Sequence, residues 1–67
     1  MRLRETCMGL GGDFAKVYRD SVWNEFVVKF YSNGVKLKDA DYHTDTLHDA
    51  KGTANNWLNE QDDKRRK

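Results

Sequence analysis

The chain predicts an α+β fold, a three-stranded antiparallel sheet packed on one C-terminal helix, on three observations. Residues 22–31 are its richest run of β-branched and aromatic side chains, and Ser32-Asn33-Gly34 follows with a strong hairpin signal. Further on, Leu47, Ala50, Ala54, Trp57 and Leu58 recur every three or four positions, the period of an amphipathic helix. Sixty-seven residues suffice for one domain. The expected division is a flexible leader at 1–13, a single β-β-β-α domain at 14–60, and a polar, basic-ended tail at 61–67.

Taken in order, residues 1–13 mix Arg2 and Arg4 with Gly9, Gly11 and Gly12 and show no strand or helix period. Residues 14–19 form a short strand candidate, and Asp20-Ser21 supplies turn chemistry, since both side chains can bond nearby backbone groups. In the next strand Phe26, Val28 and Phe30 share one face and must point at the core, which leaves Glu25, Val27, Lys29 and Tyr31 on the other. Asn33 and Gly34 tolerate the positive φ of a tight turn. Pairing across that turn opposes Phe30 with Leu37, but the same register would set Asp39 against Val28 and Asp41 against Phe26. Two carboxylates aimed at a core are costly, so an irregularity near Asp39-Ala40-Asp41 is expected, returning Tyr42 to the core side. Thr46 precedes Asp49 by the capping-box interval, and Asp45 adds negative charge at the helix start. Gly52 lies mid-helix, and beyond Asn59 the chain turns wholly polar, so the helix should fray there.

A core this small supplies only ~3–5 kcal/mol net, while each unpaired buried polar group costs ~1–3 kcal/mol. That ranks binding modules above enzymes. Charged residues make up 34% of the chain with nearly cancelling signs, and the bases gather at the ends, in Arg2, Arg4 and Lys64-Arg65-Arg66-Lys67. The single cysteine, Cys7, reads as a free thiol in the leader, suited to a reducing, cytoplasmic setting. No apolar run approaches the ~20 residues that span a bilayer, and residues 1–13 lack a signal-type hydrophobic block. A soluble cytoplasmic protein is expected.

No catalytic constellation emerges. Ser21 and Ser32 lie in turns without a nucleophile elbow, and Gly9-Leu10-Gly11-Gly12 lacks the Lys-Ser/Thr ending of a phosphate loop. His43 and His48 sit among Asp39, Asp41, Asp45 and Asp49, but the spacing matches no strong zinc pattern, and a solvated acidic patch at a helix start explains it better. Neither metal, cofactor nor small-molecule substrate is expected.

The open face of the sheet is the surface of interest, with Val27, Lys29 and Tyr31 outward and Trp23 at the strand's edge. Such a patch suits a protein partner or a second copy of the chain. Alternatively, Trp23 and Tyr18 fold over that face and close a small second cluster.

Two resemblances extend this reading. The spacing of strands, the glycine turn and Tyr42-His43-Thr44 leading to Ala50, Ala54 and Trp57-Leu58 resembles the N-terminal arm-binding domain of tyrosine integrases and the plant ethylene-response-factor domain. Those families set a three-stranded sheet in the DNA major groove and brace it with a helix. The resemblance implies groove-facing roles for Arg19, Trp23, Lys29, Lys36 and Lys38, although Glu25, Val27 and Tyr31 stand where those families carry arginines. A DNA-binding alternative therefore engages Arg19, Lys29, Lys36 and Lys38 with the tail residues Lys64, Arg65 and Arg66. The phrases Asp39-Ala40-Asp41-Tyr42-His43-Thr44-Asp45 and Asp49-Ala50-Lys51-Gly52-Thr53-Ala54 are also similar to small uncharacterised proteins of tailed phages of marine cyanobacteria, which implies a phage accessory protein and no particular activity. The expectation is a small non-enzymatic binding protein using the open sheet face.

Overall fold

A computed structural model describes residues 1–38 and 40–65, with Arg65 described by its backbone alone. Among the described residues, five strands form one antiparallel sheet packed on one helix: β1 (Arg2–Met8), β2 (Phe14–Asp20), β3 (Glu25–Ser32), β4 (Val35–Lys36), β5 (Tyr42–Thr44) and α1 (Leu47–Arg65). The order across the sheet is β1-β2-β3-β4, with β5 also paired to β3. A 3-10 turn at Leu10–Gly12 joins β1 to β2.

The β2–β3 register sorts every side chain by face. Val17 opposes Val28 and Ala15 opposes Phe30 on the helix side. These four close with Ala50 and Ala54 into the buried core, and Phe26, Leu47 and Trp57 pack around it. Small helix residues let α1 lie close to a sheet of larger ones, as the sequence pattern requires. Burying each valine or phenylalanine there contributes about 1.5–3 kcal/mol. The Phe30 ring meets Trp57 in a tilted contact, centroids 4.9 Å apart.

The turn after β3 has Asn33 and Gly34 at φ 54° and 80°, the positive values of a tight hairpin, and Leu37 N–H donates to the Phe30 carbonyl at 2.9 Å. At the helix start, Asp49 N–H donates to Thr46 Oγ1 at 3.2 Å, and the Thr46 carbonyl accepts from Ala50 N–H. The reciprocal half of a capping box is replaced: the Asp49 carboxylate accepts the Tyr42 hydroxyl at 2.6 Å. That bond holds the carboxyl below its ordinary pKa and pushes the Tyr42 phenol above its own.

The third expected strand is split. Extending the β3–β4 register would put position 39 opposite Val28, whereas Tyr42 stands there. An odd advance flips parity, so Tyr42 shares the helix side with Val28 while His43, opposite Val27, takes the open side. Asp39 itself lies outside the described residues, while Asp41 lies 3.3 Å from Lys36 Nζ.

Three expectations are corrected. Residues 1–13 contain β1, which pairs along β2, so they are not a flexible leader. A register shift between Leu3 and Glu5 puts Leu3 on the open side and Glu5 and Cys7 on the helix side, and this parity change hides the strand period from the sequence. Cys7 is accordingly half-buried beside the core, and burial raises its thiol pKa, with Glu5 acting in the same direction. Lastly, α1 continues to Arg65 through residues 61–65 of the expected tail. Asp62 Oδ1 accepts the Leu10 amide at 3.1 Å, anchoring the extension to the 3-10 turn.

Gly52 approaches nothing: a Cβ built there meets no atom within 4 Å. Gly52→Ala should therefore stabilise the protein by about 0.5–1 kcal/mol through helix propensity alone. A thermal melt that moves down rather than up would show that this site needs glycine.

Candidate functional site

On the side away from α1, the registers align side chains into four rows across the strands, the last being the carboxylate pair Asp20 and Glu25 at the β2–β3 turn. Met8, Phe14, Tyr31 and Lys36 form one; Thr6, Lys16 and Lys29 the next; Leu3, Tyr18, Val27 and His43 the third. Same-face residues two apart along a strand put neighbouring rows roughly 7 Å from each other. The first row carries a stacked pair, Phe14 and Tyr31, with centroids 4.6 Å apart and planes 7° from parallel. Lys16 Nζ sits 5.8 Å from the Phe14 centroid and 5.4 Å from that of Tyr31. Lys29 Nζ lies 5.4 Å from the Tyr18 centroid. A row of lysines thus runs between two rows that present aromatic surface, each ammonium held by the negative face of a ring.

Among the described residues, neither Lys16 nor Lys29 forms an ion pair with a carboxylate, whereas Lys36 at the edge of the face does. Lys36 is paired with Asp41, and His43 Nδ1 is 2.9 Å from Glu25 Oε1. The Tyr18 phenol is held above its ordinary pKa by desolvation and then by hydrogen bonding with Tyr31. Toward β1 the face ends in exposed apolar groups, Leu3 at 48% and Met8 at 70% of full exposure.

The expected site residues fall unevenly on this surface. Lys29 and Tyr31 lie on it, both half-buried. Val27 points the same way but is only 2% exposed, so it is a floor residue and not a contact residue. Tyr18 stands directly opposite it, with Lys29 Nζ over the Tyr18 ring, but the cluster expected from Trp23 and Tyr18 together is not formed. Trp23 takes no part: it is 75% exposed in the turn between β2 and β3, off the strand edge.

The basic set likewise divides. Arg19 turns to the helix side, its guanidinium 5.1 Å from the Phe26 centroid, and donates to the Glu25 carbonyl and Asn24 Oδ1. Lys36 belongs to the first row, Lys38 is exposed after β4, and Lys64 is carried by α1 on the opposite side of the sheet. The side chain of Arg65 and all of Arg66 lie outside the described residues. Of the set implied by the DNA-binding resemblance, the strand registers place Lys29 and Lys36 on the open face.

Phe14, Lys16, Leu3 and Met8 were missed, and Tyr18 was foreseen only as a cover. The signal for Phe14, Lys16 and Tyr18 was present, since they alternate with the small inward residues Ala15 and Val17. Leu3 and Met8 had none, because the β1 bulge breaks their alternation.

His43 faces the open side and His48 sits in the first turn of α1, beside a shallow groove of about 460 Å³ lined by Leu47, Lys51, Gly52 and Asn55. Among the described residues, no three His, Cys, Asp or Glu side chains are grouped to hold a metal ion. Ser32 Oγ donates to the buried Asp13 carboxylate at 2.9 Å, tying the β1–β2 connection to the end of β3. No helix among the described residues is long and apolar enough to cross a membrane. Compared with known proteins, the chain matches no family profile, no curated protein and no solved structure.

Proposed function

We propose that this protein is a non-enzymatic binding module whose open sheet face takes single-stranded nucleic acid. The observation that carries the reading is the lysine row between aromatic rows, Lys16 over Phe14 and Tyr31 and Lys29 over Tyr18. Unpaired bases stack on aromatic side chains for ~1–3 kcal/mol each, whatever their sequence, while lysines neutralise the phosphates between them. The positive charge of Lys16 and Lys29 fits a polyanion along the lysine row, while the carboxylates Asp20 and Glu25 bound it at the turn end of the face. Reading a duplex groove normally uses arginine forks, and Arg19 is turned to the other side of the sheet.

A protein partner or a second copy of the chain is the competing occupant, and Leu3 and Met8 favour it by extending the same face with exposed apolar surface. Fluorescence anisotropy of a labelled twelve-nucleotide dT strand, against a duplex of equal length, separates the two. The single strand should bind more tightly, with log K falling against log salt by roughly 0.7 for each phosphate neutralised. Lys16→Glu with Lys29→Glu should weaken it by about 100-fold or more. Absence of binding at low salt, with a scattering mass above one chain that drops on Tyr31→Asp, would hand the face to self-association instead.

A further inference from the structure

We infer that Arg2, Arg4, Arg19 and Ser21 form a binding site for a phosphate group at the end of the sheet where β1 begins. Together with Met1 they line a single open cavity of about 280 Å³, room enough for a phosphate group.

The β1–β2 register sets Arg2 directly opposite Arg19. Like charges in that position repel and weaken an antiparallel pair, so an anion bound between them would relieve the repulsion. Among the described residues, none of the three arginines forms an ion pair with a carboxylate. The carboxylate next in sequence, Asp20, directs Oδ1 at the Val22 and Trp23 amides of the turn. Arg19 meets only neutral acceptors, the Glu25 carbonyl and Asn24 Oδ1.

Arg4 joins the group through the backbone. It is the residue passed over where the register shifts between Leu3 and Glu5, and such bulges re-aim the side chain they carry. Arg19 is oriented in advance by its two hydrogen bonds and by the Phe26 ring. Guanidinium N–H groups remain for a ligand, since the side chain has five. Several planar forks and a hydroxyl around one small cavity match the oxygens of a phosphate group, which arginine binds in bidentate fashion.

The phosphate could belong to a nucleic-acid strand whose end passes from the open face around the end of the sheet, or to a free phosphate compound. Inorganic phosphate titrated into isotopically labelled protein, against chloride at matched ionic strength, tests the site alone. The Arg19 Nε–H and Ser21 amide resonances should shift with saturation. Arg2→Gln with Arg4→Gln should weaken that binding by roughly tenfold or more without lowering the melting temperature, because it removes a repulsion. Anisotropy with 5′-phosphorylated and 5′-hydroxyl oligonucleotides then identifies the source. A preference for the phosphorylated strand that the double variant abolishes assigns the site to nucleic acid; saturable phosphate binding without that preference assigns it to a free phosphate compound. No specific shift with phosphate and no end preference would overturn the site. Lys16→Glu with Lys29→Glu should leave inorganic phosphate binding in place, so failure of the open-face reading is distinguishable from failure here.

Discussion

Phe30→Ala should leave the protein largely unfolded at room temperature. Truncating a buried phenylalanine costs about 3–5 kcal/mol, which equals what a core of this size supplies in total. Phe30 is 5% exposed, sits opposite Ala15 and meets the Trp57 ring. Its removal opens the sheet–helix junction where Ala50 and Ala54 have no bulk to collapse into the gap. Trp23→Ala removes a larger side chain from the β2–β3 turn and should change stability by less than about 0.5 kcal/mol. Circular dichroism melts of the two variants decide it. A cooperative melt in Phe30→Ala close to that of the parent chain would mean that the core lies elsewhere.

Deleting residues 2–8 should have the next largest effect, lowering the melting temperature by more than about 10 °C, as a loss of some 2–3 kcal/mol implies for a domain of this size. A leader without structure could be removed at no cost. β1, however, pairs along β2 from Arg2 to Met8, and Cys7 covers the flank of the core. The Lys51–Glu5 pair, at 3.4 Å and partly exposed, adds little. The loss comes from the uncovered core and from a β2 left as an open edge, which also invites aggregation. Amide exchange should show it directly, with β2 protection falling while α1 protection falls less. An unchanged melt after the deletion would refute a structural role for β1.

What was legible in the chain, and what was not, follows the range of the interactions concerned. Phe26, Val28 and Phe30 announce their face by alternation, Asn33-Gly34 announces its turn, and Thr46 announces the helix start, because each depends on residues a few positions away. The split of the third strand was also legible, as a conflict: two aspartates could not be carried in register to the core side, and Tyr42 stands opposite Val28 instead. Of the candidate-site residues, Lys29 and Tyr31 could be placed on the open face because they alternate with core residues in one strand. Arg19 was misplaced although its parity with Val17 was readable from the same alternation that marks Lys16 and Tyr18, and Trp23 because it lies past the strand end, which depends on where the hairpin turns.

By itself, the sequence determined an α+β domain with one helix, the inward face of its longest strand, the tight turn and the helix cap. Each is set by backbone preference or short-range periodicity. The tertiary structure alone decided that β1 joins the sheet, that Val27 is floor and not contact, and that Arg2, Arg4 and Arg19 share a cavity. Those outcomes turn on one bulge and one long-range register, where displacement by a single residue sends every following side chain to the opposite face.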